Sequence, residues 1–425
     1  MSKGETDSRS GEDNISREEA LQLLGVKKET LYTYVSRGLI QSFPLNEGRT
    51  HLFSRADVER LRAKSLARSG IGAVAETVMR YGEPIITTRI TEITPQGPRY
   101  RGRLATELAD KGCAFESVAL LLWTGVWLDD QVSWNDVPSF IPSPSRPSAV
   151  DPAEQDTDDF VKLMASTVLA LGMHPAEPEQ FKLGSTLDAA RKIIQVLTGM
   201  LGVLSPKRAY APAHAAEPLA ACVMRVLGGQ GDAESIAAIN AMMVLCADYE
   251  LTPASFAARV VASSGGDLHA SVAAGLCAHS GLLTGQVCDG LAEVLAGGPT
   301  QRNLEQRLKE VGRFGASTYG FNPALASKGD PRAYWMIEKA KALAAKKPVA
   351  ATRNMIAFLD RLRVEYGLYP GLQAGLVTLV SALGLPPTSA AAIWGISRTA
   401  GQIAHVMEQR EAGFLLRPRA TFVNA

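Results

Sequence analysis

Along most of this chain, apolar residues recur at the three- and four-residue spacing of helices. Long helical periods run from Glu116 to Val126, Asp188 to Leu204, Glu217 to Leu227, Ala233 to Cys246 and Leu268 to Cys277. They are rich in Ala, Leu and Met, which predicts closely packed, buried helices. Period-two alternation is confined to Ile85–Ile93 and its continuation to Tyr100, about a Thr94-Pro95-Gln96-Gly97 turn. The predicted fold class is therefore mainly α. Five prolines and many serines in residues 134–152 predict a surface loop.

The N-terminal part follows a different pattern. Residues 1–14 are rich in Ser, Gly, Asp and Glu and predict a disordered tail. Ser16 with Glu19 three residues on is a capping box, so a helix starts there, and Gly25 ends it. Lys28-Glu29-Thr30 opens a second helix with Leu31, Tyr34 and Val35 on its apolar face, closed by Gly38. Phe43–Phe53 predicts a two-stranded wing, and Ser54-Arg55-Ala56-Asp57 opens a third helix through Leu61. Helix, tight turn, helix is the layout that puts a second helix into the DNA major groove. The run from Leu24 to Ile40, Leu-Gly-Val-x-x-x-Thr-Leu-Tyr-x-Tyr-Val-x-x-Gly-Leu-Ile, resembles the winged helix–turn–helix of the MerR and excisionase type. Residues 14–68 carry ten Lys/Arg against six Asp/Glu. Lys27, Lys28, Thr30, Tyr32, Arg37 and Arg49 fall where contacts with duplex DNA would be made.

Composition narrows the rest. A chain of 425 residues predicts two or three domains, and 46% hydrophobic with 20% charged residues is ordinary globular usage. The net charge is +1, so any basic surface has to be local. The five cysteines form no Cys-x-x-Cys pair and predict buried thiols in a reducing cytoplasm, with no metal site. The polar N-terminus predicts no signal peptide, and no uninterrupted apolar stretch reaches spanning length, so no membrane partner is expected.

Several further runs, in order and spacing, resemble citrate synthase over about Ala75 to Asn424. They are Arg99-Tyr100-Arg101-Gly102, Ala247-Asp248-Tyr249-Glu250-Leu251-Thr252, Ser255–Ser263, Gly281–Gly285, Gly329-Asp330-Pro331-Arg332, Arg398–His405 and Arg417-Pro418-Arg419-Ala420. The resemblance implies an all-α dimer, with a large domain at 76–286 and 381–425 and a small one at 287–380. Preceding these are the tail at 1–14, the helix–turn–helix domain at 15–66 and a linker at 67–75. It also implies a condensation chemistry. A carboxylate removes a proton from acetyl-CoA, histidines stabilise the enolate and polarise the ketone of oxaloacetate, and arginines grip its carboxylates.

Arg332, Arg398 and Arg417 match the three dicarboxylate-binding arginines. The catalytic positions do not match. Tyr249 stands where the family has the His of Asp-His-Glu, and Thr284 where it has the His of Gly-Pro-x-His-Gly. Pro323 replaces the His after Gly-Phe-Gly, and Gln373 the Asp of Pro-Asn-x-Asp. Gln286-Val287-Cys288-Asp289 stands where the family has Gly-Ala-Asn-Glu, which argues against an acyl-CoA partner. No cofactor is implied. The expected protein is a DNA-binding homodimeric regulator whose degenerate body senses a small dicarboxylate. The alternative is an acyltransferase joining an acyl-CoA to a 2-oxo acid with a rewired site. A third reading is a partner protein that pairs with an active paralogue.

Overall fold

The computed structural model describes residues 14–44, 51–55, 57–58, 61, 86–128, 132–134, 157–173, 179, 181–296, 300, 302, 305, 320–323, 325–326, 328–418 and 422. The chain divides into two units, Met1–Thr87 and Thr88–Ala425.

In the first unit, β1 (Asn14–Ile15) leads into α1 (Arg17–Leu24), α2 (Lys28–Ser36), β2 (Ser42–Pro44) and β3 (His51–Ser54). Ser16 Oγ accepts the Glu19 N–H at 3.1 Å, and Gly25 ends α1 with φ +61°. The Glu19 carboxylate pairs with Arg55 across the unit. The strands form one antiparallel sheet in the order β1-β3-β2. Asn14, expected in the tail, pairs with Ser54, so the wing has a third strand. Ile15, Ala20, Leu31, Ile40, Phe53 and Val58 make the core. Asp57 accepts the Gln41 N–H at 2.9 Å and so ties the third helical segment to the start of the sheet.

The second unit opens with a three-stranded antiparallel sheet, β4 (Thr91–Thr94), β5 (Gly97–Tyr100) and β6 (Arg103–Leu104). Thr94 pairs with Gly97 around the predicted turn. Helices follow: α3 (Ala105–Asp110), α4 (Phe115–Thr124), α5 (Thr157–Met173), α6 (Leu183–Met200), α7 (Leu219–Leu227), α8 (Ala233–Cys246), α9 (Pro253–Ser263) and α10 (Leu268–His279). Then come α11 (Val287–Ala296), α12 (Pro331–Lys346), α13 (Ala350–Tyr366), α14 (Leu372–Ala382) and α15 (Ser389–Ala412). Every residue of α15 from Ser389 to Val406 is buried. A helix buried on every side belongs in the middle of a core, and α4, α6, α8, α9, α10 and α14 pack against this one. Cys222, Cys246 and Cys288 are buried as expected, whereas Cys277 is exposed on the outer face of α10.

One ion pair locks three of these helices. Glu179, just before α6, receives both Arg410 Nη groups from α15, the Leu268 N–H at the start of α10 (2.9 Å) and the Thr186 hydroxyl of α6 (2.8 Å). Burial alone would raise its pKa, but these donors outweigh burial and hold it below the ordinary carboxylate range. Breaking a buried pair typically costs about 3–5 kcal/mol, so Glu179→Ala should lose about that much in denaturant titration at neutral pH. A depressed folded pKa gives stability that is present above the ordinary range and lost as pH falls through the folded value. The deficit should therefore shrink in acid.

Candidate functional site

The α8 helix ends with the carbonyls of Val244, Leu245 and Cys246; the Ala247 N–H reaches the first at 3.2 Å, and side chains reach all three. Groups from three distant elements answer them. Tyr100 Oη, from β5, lies 3.0 Å from Val244 O and 3.1 Å from Leu245 O. Arg332 Nη1, from α12, lies 3.4 Å from Leu245 O, and Arg398 Nε, from α15, donates to Cys246 O at 3.1 Å. Cations complement the negative end of a helix dipole, so two of the predicted arginines converge here for a reason the fold itself supplies. Burial outweighs the two arginine charges, which act to lower both groups: it pushes the Tyr100 phenol up and the Cys246 thiol up to about 11.

The two arginines are not equivalent. Asp330 caps α12 by accepting the Arg332 N–H at 2.9 Å, and the same carboxylate takes Arg332 Nε at 3.0 Å and Nη2 at 2.7 Å. Burial disfavours the Arg332 charge, but Asp330 outweighs it and raises the pKa. The Tyr249 ring lies under the same guanidinium, 4.0 Å from its centre. An Asx-type turn sets that ring: Asp248 Oδ2 accepts the Glu250 N–H at 3.1 Å, and Glu250 takes φ +56°. Arg398 has no such partner. It is 2% exposed and its Nη1 makes no hydrogen bond among the described residues. Burial lowers its pKa; Asp248 opposes the shift, and Arg332 adds to it. The site therefore holds one satisfied guanidinium and one with a donor to spare.

The replaced catalytic positions form a second group around Gly320. Gly371 N–H donates to Gly320 O at 2.7 Å, and Phe321 bridges to Pro370. Asp330 N–H donates to Pro370 O at 2.9 Å, which joins this group to the arginine cluster. A Cβ on Gly320 would come within 3.3 Å of Val287 and 3.5 Å of Gln373. The segment bearing Pro323, the α11 helix that follows the Thr284 loop and the start of α14 bearing Gln373 thus meet at one glycine.

The polar groups of Thr284 and Asn322 are spent on local structure. Thr284 Oγ1 lies 3.1, 2.9 and 2.8 Å from the carbonyls of Ala278, His279 and Gly281, closing the end of α10. Asn322, the only polar neighbour of Pro323 in that turn, has its Oδ1 fixed by the Tyr369 N–H at 2.7 Å and sits at φ +46°. Two histidines of α10, His279 and His269, do not stand in for the replaced groups. His279 Nε2 donates to Ala391 O at 3.0 Å with its ring edge-on to Trp394, and burial lowers its pKa to about 4. His269 packs against Gly172, and burial lowers its pKa too.

Arg417 lies elsewhere. It is exposed in the segment after α15, next to Leu416, whose N–H donates to Ser263 Oγ at 3.1 Å. From Arg398 to the end of α15 is about 20 Å at 1.5 Å per residue, so a single chain does not bring Arg417 to the other two. In the first unit, Lys27, Lys28, Tyr32 and Arg37 are exposed and Thr30 is half-buried on α2 or its caps. Lys28 and Tyr32, four residues apart, share an exposed face of α2. Arg49 lies outside the described residues. Among the described residues no cluster of His, Cys, Asp and Glu could hold a metal ion, and no helix is long and apolar enough to cross a membrane. Asp330 and His405 were missed as site residues. The Asp-Pro-Arg spacing was the available signal for the first; only the fold reveals the second.

Residues 80–419 match the citrate synthase C-terminal domain family, and residues 15–65 match a helix–turn–helix domain family. Citrate synthase of Heyndrickxia coagulans is 31% identical over 43% of this chain and 50% of its own length. Citrate/2-methylcitrate synthase of Bacillus subtilis is 31% identical over 43% and 49%. The chain thus spans about half the length of these relatives. The 2-methylcitrate synthase of Mycobacterium tuberculosis is 24% identical over 80% of this chain and 88% of its own. A solved citrate synthase from Thermoplasma acidophilum, in a ternary complex with carboxymethyl coenzyme A and oxaloacetate, superposes with TM-score 0.68 at 21% identity, covering 80% of this chain and 94% of that one. The Thermotoga maritima citrate synthase gives TM-score 0.60 at 19% identity, covering 81% and 94%.

The Thr284 hydroxyl bonds predict a structural role. Thr284→Val keeps the shape and removes the donor, so it should cost about 1 kcal/mol in denaturant titration and leave any carboxylate binding at Arg398 unchanged in calorimetry.

Proposed function

The chain belongs to the citrate synthase family, and from that premise we propose that it is a DNA-binding regulator whose citrate-synthase body binds a small dicarboxylate without turning it over. The observation that carries this reading is the contrast within the site. Arg398 is buried with an unpartnered Nη1 beside a second buried arginine, whereas every replaced catalytic position lacks a base. Gln373 carries a neutral amide, and Thr284 spends its hydroxyl on a helix end. A well-placed acid or base contributes about 10²–10⁴-fold each, and several are replaced here. A buried guanidinium with a free donor is a costly group unless a planar anion pairs with it. The oxaloacetate named with the Thermoplasma enzyme supports a C4 dicarboxylate as the ligand class. The helix–turn–helix unit supplies an exposed α2 face bearing Lys28 and Tyr32. A two-fold homodimer of the body would present two such units to a palindromic site.

Two experiments test the reading. In a melting screen, oxaloacetate should stabilise the wild type by mass action, about 2.7 kcal/mol at a hundredfold excess over Kd, and should not stabilise Arg398→Met. With acetyl-CoA added, thiol release should stay far below the common turnover range of about 1–10³ s⁻¹. Equal stabilisation of both proteins, or no stabilisation of either, defeats the sensor; ordinary turnover establishes the acyltransferase instead.

On DNA, the full chain should bind duplex fragments with affinity that falls steeply with salt. Lys28→Ala should weaken binding across sequences and reduce the slope of log K against log salt by about one. No binding at low salt would leave the first unit as a protein-interaction domain.

A further inference from the structure

Arg398, Gln402, His405 and Gln409 follow one another at steps of four, three and four residues along α15, so they share one face. That face carries polar groups through an otherwise apolar core. Asp248 stands beside it, with Oδ2 3.5 Å from His405 Nε2 and Oδ1 without a hydrogen bond. On the far side of the ring, His405 Nδ1 lies 3.1 Å from Arg259 Nη1. A guanidinium only donates, so Nδ1 accepts and the ring proton sits on Nε2, facing Asp248. Arg259 Nη1 also donates to Glu408 Oε2 at 2.7 Å, and Arg259 Nε donates to Gln409 Oε1 at 3.1 Å. Glu408 Oε1 in turn accepts the backbone N–H of Arg89 at 2.8 Å. Arg89 is the second residue of the second unit, directly after the segment that tethers the first.

Resting on the carboxylate-site reading, we propose that this file of groups is a relay by which occupancy of Arg398 is read at Arg89, where the helix–turn–helix unit is attached. Several members lack a hydrogen bond in the arrangement described: Arg398 Nη1, Asp248 Oδ1, both amide atoms of Gln402 and His405 Nε2. Unpaired buried polar atoms are expensive, so an arrangement that pairs more of them lies close in energy. With Arg398 open, Asp248 is drawn toward its charge and meets His405 only at long range. A bound carboxylate takes over Arg398 and lets Asp248 close on the Nε2–H. The ring then turns away from Arg259, whose Nη1 passes wholly to Glu408, and Glu408 releases the Arg89 amide. Packed helices transmit such a change as a switch between two discrete bonding sets.

The test uses the full chain, with oxaloacetate as probe. Its binding is measured by calorimetry, and amide exchange is followed at Arg89 and in the β4–β5 turn. In the wild type, oxaloacetate should speed exchange at Arg89 several-fold while the turn stays unchanged or slows. Glu408→Gln should still bind oxaloacetate but lose the response at Arg89. Should that variant fold poorly, the wild-type comparison decides alone. Binding with no change, or with slowing, at Arg89 overturns the relay and leaves the carboxylate site standing. No binding by the wild type overturns the carboxylate-site reading and the relay together.

Discussion

The carbonyls at the end of α8 have to be satisfied, and most of the site follows from how that is done. A buried helix terminus without donors is unstable. Here a tyrosine from the hairpin and one arginine from each of two later helices supply them. The same contacts pull β5, α12 and α15 onto one point. They also bring two positive charges together inside the core, where each raises the cost of the other. Asp330 relieves one of them by a fork-to-fork pair, and the second is left to Asp248 and to whatever anion enters. Two arginines that serve as helix caps would be retained for the fold alone; the spare donor on Arg398 is the feature that capping leaves unexplained.

The body has thus parted two things that one active site would combine. Groups set on helices, Arg332 and Arg398, converge on the end of α8, and Arg332 also holds the Asp330 carboxylate. Two loop groups near the replaced positions have turned to nearby backbone. Thr284 and Asn322 each satisfy main-chain atoms nearby, which short polar side chains do readily. A long imidazole in those places would have reached outward.

Local grammar was legible in the sequence, and long-range pairing was not. The capping role of Ser16, the αL glycine at Gly25, the span Ala233–Cys246 and the Thr94–Gly97 turn all lie where spacing placed them, because each depends on neighbours within a few residues. Glu19 fits the capping-box pattern, yet its carboxylate goes to Arg55, thirty-six residues away. Asn14 looks like tail but finds a strand edge in Ser54. Arg332 and Arg398 could be matched by motif, though their shared helix end could not. The same limit hid His405: a polar stripe inside a helix reads as solvent face until the fold buries it on every side. Arg417 is a different case: its motif groups it with residues that lie about a helix length away within one chain.

The way Thr284 is used bears on the history of the chain. Its hydroxyl sits within reach of three carbonyls at the end of α10, so the residue that replaced a catalytic group has become part of the scaffold. A return to histidine there would strip a helix end of its donor before any catalysis was regained. The base at position 373 and the donor at position 323 would still be missing. On the proposed reading the change at position 284 works as a ratchet: undoing it alone would lower stability first, and only the complete set of changes would be rewarded.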